Sequence, residues 1–107
     1  MNIGYMWEKL HGAMYSLIGS GELKDRLYYA CEMLAVYDDD TNKVPDEIIN
    51  EFREITDLIE KAEPIGNEGK IRAAINSMDD VEAGVVAKKI LSMYDQITRR
   101  MDPLKND

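Results

Sequence analysis

A chain of 107 residues supports one hydrophobic core and excludes two, because at this length about two thirds of the unfolded surface is buried on folding. Hydrophobic residues at 45% and charged residues at 32% match a folding globular domain and exclude the low-hydrophobicity signature of disorder. Thirteen Lys and Arg against 21 Asp and Glu leave a formal net charge of −8, which repels phosphate backbones and makes a basic protein a better partner than nucleic acid.

Cys31 is the single cysteine, so no internal disulfide can form, which fits a reducing compartment. Glu8, Lys9 and His11 interrupt the N-terminal region where a signal peptide would run apolar, and no stretch reaches the roughly 18–20 apolar residues that span a bilayer. The expectation is a cytoplasmic protein with no membrane partner.

Breaks at Gly19–Gly21, Asp38–Pro45, Glu63–Gly69 and Ser77–Asp79 leave five helical stretches. The first, about 5–18, places Met6, Leu10, Ala13, Met14 and Leu17 within an arc of roughly 100°, with Gly19 as its stop. The second, about 21–37, takes Ser20 as its N-cap and carries Leu23, Leu27, Ala30, Leu34 and Tyr37 on one face, with Cys31 on its flank. Tyr28, Tyr29, Ala35 and Val36 lie away from that face, so this helix either sits centrally or presents a surface to another chain.

The third helix opens at Pro45, followed by Asp46 and Glu47, because proline presets φ and carboxylates suit the positive end of the helix dipole. Ile48, Phe52, Ile55 and Ile59 form its stripe, opposite Arg53, Glu54 and Asp57. A short fourth helix, about 70–77, carries Ile71, Ala74 and Ile75. The fifth, about 80–101, starts from Asp79 with Glu82 three residues on, in the manner of a capping box, and buries Val86, Ile90, Met93, Tyr94, Ile97 and Met101. No segment alternates like a half-buried strand. The predicted fold is all-α, a small antiparallel bundle of four main helices plus one short helix.

Motifs that could carry chemistry are weak. Glu8-Lys9-Leu10-His11 has the Glu-x-x-His spacing of carboxylate-bridged metal bundles, but one histidine would require a symmetric dimer, with Glu32 as a further ligand. Helical angles turn Glu8 roughly 170° and His11 roughly 110° from the centre of the apolar face, so both read as surface residues. Asp38, Asp40 and Asn42 match the first ligand positions of a calcium loop, yet Lys43 replaces the turn glycine and Ile49 the bidentate glutamate. His11 and Cys31 are the only candidates for a base and nucleophile pair, and Cys31 on a core flank reads as a small hydrophobe. Gly19-Ser20-Gly21 and Gly66-Asn67-Glu68-Gly69 lack the Lys-Ser/Thr of a phosphate loop. Lys88, Lys89, Arg99 and Arg100 gather on the fifth helix opposite its apolar stripe, and read as a solvated face or as the complement of acidic groups. No cofactor, metal or catalytic residue is predicted.

The remaining candidate is an interface on the second helix: Tyr28, Tyr29 and Val36, flanked by Asp25 and Glu32. The expected function is a non-enzymatic helical interaction or adaptor protein that forms a homodimer through this surface. The alternative is an acidic inhibitor that binds a basic protein through the same tyrosines and acids. In architecture and charge, though not in any motif, this resembles the nuclease-immunity proteins, which present such a patch on a small acidic helical bundle.

Overall fold

The computed structural model describes residues 3–35, 44–66 and 68–101. They form five α-helices: α1 (Ile3–Leu17), α2 (Leu23–Ala35), α3 (Ile49–Glu60), α4 (Gly69–Asn76) and α5 (Asp80–Met101), with a 3₁₀ turn at Asp46–Ile48 before α3. No strand is present among the described residues. Tyr37, Val36 and the Asp38, Asp40 and Asn42 set lie outside them.

Local chemistry explains most of the boundaries, and it corrects three of the predicted ones. The left-handed residue between α1 and α2 is Gly21, at φ 103°, where a side chain would be strained; Gly19 still bonds back to Ser16. Arg26 closes this turn by donating to the carbonyls of Gly21 and Leu17, which gives α1 a cationic C-terminal cap supplied by α2. Ser20 does not cap α2, because that helix begins at Leu23, with the Arg26 N–H bonded to the Glu22 carbonyl. Pro45 starts a 3₁₀ turn instead of the α-helix itself, Ile48 N–H donating to its carbonyl at 3.1 Å. Asp79 caps α5 as expected, its carboxylate accepting from the Glu82 N–H at 2.7 Å.

The helical stripes converge on one core. Met6, Leu10, Ala13 and Leu17 of α1 meet Leu27, Ala30, Cys31 and Leu34 of α2, Phe52 and Ile55 of α3, and Val86, Ile90, Met93 and Ile97 of α5. Each set recurs at three- and four-residue steps, which is why one face of each helix can be dry at once. Met14, Ile59 and Tyr94 are half-buried rather than buried, and Met101 is exposed. Burial of an apolar side chain contributes about 1.5–3 kcal/mol, so this shared core is what holds the helices against one another.

The second helix takes the central place. It packs on α1, α4 and α5, so most of its apolar surface is used within the chain. Against α1 the approach is close: a Cβ added at Gly12 would collide with the Met33 terminal methyl. The α1 and α5 helices run antiparallel along a second long seam, fixed by the pairs Trp7 with Thr98 and His11 with Tyr94. Ion pairs tie α5 to the other side of the bundle, Lys89 to Glu54 at 2.9 Å and Arg100 to Glu47 at 2.6 Å.

Candidate functional site

The predicted patch on α2 is assembled, but it is not free. Asp25, Tyr28, Tyr29 and Glu32 share one side of the helix, and Arg72 of α4 lies across them. Its guanidinium donates to Asp25 at 3.1 Å and stacks over the Tyr28 ring with 3.9 Å to the centroid, a cation–π contact. The Tyr28 phenol is held above its ordinary range, first by its hydrogen bond to the Glu32 carboxylate. Tyr29 packs edge-on against Tyr28 with 5.2 Å between centroids and remains 57% exposed. Tyr28 and Asp25 are thus engaged by Arg72, while Tyr29 and Glu32 face solvent. Val36 lies outside the described residues. Sequence spacing could group the α2 residues, but Arg72 reaches them from 40 or more positions away in sequence, and no local pattern announces that.

A second cluster, which helical angles alone misplace, sits on the α1–α5 seam. Trp7 stacks on His11, with 4.7 Å between ring centroids and 18° between planes, and its indole N–H donates to Thr98 Oγ1 at 2.9 Å. His11 Nδ1 shares a hydrogen bond with the Tyr94 hydroxyl at 3.0 Å, and Tyr15 meets the imidazole edge-on at 5.0 Å. His11 is therefore half-buried among three aromatic rings and is not a surface histidine. Its angle was right, but α5 packs close enough to that flank of α1 to cover it. Glu8 is exposed as expected.

Toward solvent this seam widens into an apolar strip. Tyr15 is 66% exposed, Ile18 73% and Leu91 49%, with half-buried Trp7, Ala87 and Tyr94 beside them. The register set by Trp7 with Thr98 and His11 with Tyr94 puts Tyr15 level with Leu91 and Ile18 level with Ala87. Contiguous apolar surface of this kind marks an interaction site more often than scattered single residues do.

The other candidates separate. Cys31 faces a groove of about 270 Å³ between α2 and α3, lined also by Leu34, Phe52, Ile55 and Ile59, whereas His11 faces α5. Burial pushes the Cys31 thiol from its ordinary 9.0 up to about 12, the opposite of what a nucleophile needs. Among the described residues no group of three His, Cys, Asp or Glu side chains could hold a metal ion. Of the four basic residues on α5, three are paired within the chain: Lys89 with Glu54, Arg99 with Asp95, and Arg100 with Glu47. No helix among the described residues is long and apolar enough to cross a membrane. Comparison of the chain with family models, with curated proteins and with solved structures finds no match.

Proposed function

We propose that this protein acts by binding through its helical surfaces, as a non-enzymatic interaction protein that self-associates. The exposed aromatic and aliphatic strip along α1 and α5 carries this reading. Tyr15, Ile18 and Leu91 stay in water beside a core that is already filled, and leaving large apolar side chains together at a surface is compensated when another surface covers them. The chemistry of the side chains agrees: the buried thiol is held protonated, and the single histidine is occupied by Tyr94 and Trp7.

Sedimentation or light scattering tests the reading directly. A dimer is expected at about 100 μM, well above the micromolar affinities usual for specific association. A strict monomer at that concentration would overturn self-association. It would shift the weight to a second reading, capture of a basic protein by Tyr29 and Glu32, exposed members of the α2 patch that Arg72 does not engage.

A further inference from the structure

Resting on that self-association, we infer that the second copy docks on the outer face of α5, antiparallel to it, about a twofold axis at Leu91. Gly84, Lys88, Leu91, Asp95 and Thr98 recur at steps of four and three residues, the spacing of a coiled-coil seam. They occupy the side of α5 turned away from the buried Val86, Ile90, Met93 and Ile97. α1 covers one flank of this side, through Tyr94 and Thr98. α3 and the 3₁₀ turn before it cover the other, through Lys89 and Gln96 to α3 and Arg100 to the turn.

The charges on this face select the occupant. Lys88 and Asp95 flank Leu91 almost symmetrically, Lys88 on the N-terminal side and Asp95 on the C-terminal side. An antiparallel copy rotated about Leu91 therefore sets each Lys88 against the partner's Asp95, and the pair forms twice. Lys88 is exposed and forms no ion pair among the described residues; Asp95 accepts from Arg99 one turn on and is exposed enough to take a second donor. In a chain of net charge −8, this face carries acid and base in balance, so two copies meet there without like-charge repulsion. At the ends of the seam Gly84 meets the partner's Thr98, and since a Cβ at Gly84 would find open space, the backbones can approach closely.

Charge reversal tests the inference on the intact chain. Lys88→Glu alone and Asp95→Lys alone each turn two attractions into two repulsions, and each should weaken the dimer roughly tenfold or more. Mixing the two variants restores both pairs in the heterodimer, and association should return to near the native level. Helical circular dichroism of each variant checks that it is folded, and sedimentation equilibrium reads the association of each variant and of the mixture. If the native protein dimerises while the single reversals have no effect, or mixing them restores nothing, the α5 face is wrong and self-association stands. If the native protein is monomeric at about 100 μM, both fall together.

Discussion

Two residues show how burial sets individual properties. Phe52 is 4% exposed on the inner face of α3, next to exposed Arg53. Phe52→Ala should cost about 3–5 kcal/mol, the usual range for removing a core phenylalanine. Arg53→Ala should stay within about 0.5 kcal/mol. Urea melts of the two variants check this, and equal midpoints would mean that α3 is turned the wrong way. Cys31 is 2% exposed, and its raised pKa is a statement about stability. The folded state holds the proton more tightly than the unfolded one, so this contribution is fully present below pH 9 and is lost as pH rises toward 12. At pH 8 a thiol reagent should label Cys31 slowly in the native protein and quickly in urea. Fast labelling without denaturant would contradict the burial.

At the scale of the helices, periodicity and capping residues carried most of the information. The stripe Ile48, Phe52, Ile55 was readable because Arg53, Glu54 and Asp57 lie opposite it, and α5 was readable because Asp79 and Glu82 mark its start. The helix ends shifted where the decisive group came from elsewhere in the chain: Arg26 terminates α1 from the far side of the turn, and a 3₁₀ turn takes the place of the first turn expected after Pro45. Glycine inside helices gives a matched test. Gly84→Ala should stabilise the fold by about 0.5–1 kcal/mol, since alanine favours helix and its Cβ meets nothing. Gly12→Ala gains the same propensity but must displace the Met33 methyl, so it should be the less stable of the two. Thermal melts at low concentration rank them, and the opposite order would mean that α1 and α2 are not in close contact at Gly12.

At the scale of the whole molecule, the question is what covers the α1–α5 face. A dimer held there couples folding to association, so the melting temperature should rise with protein concentration, because mass action stabilises the associated native state. A scan from about 1 to 100 μM brackets the micromolar affinities usual for specific association. A melting temperature constant across that range would speak against a dimer. The same coupling predicts that Leu91→Glu, exposed in the isolated chain and central in the seam, leaves the low-concentration melt nearly unchanged while removing the concentration dependence.

Composition and periodicity determined that this chain is a small all-α bundle, with five α-helices among the described residues, and which side of most of them is dry, because hydrophobic spacing and caps act over a few residues. They also grouped Asp25, Tyr28, Tyr29 and Glu32, which one helix brings together without help. The tertiary structure decided that Arg72 closes over Tyr28, that His11 sits between Trp7, Tyr15 and Tyr94, and that an apolar strip remains along α1 and α5. Each of these depends on which helix lies against which, a choice set by packing all the stripes into one core at once and not by the pattern of any single helix.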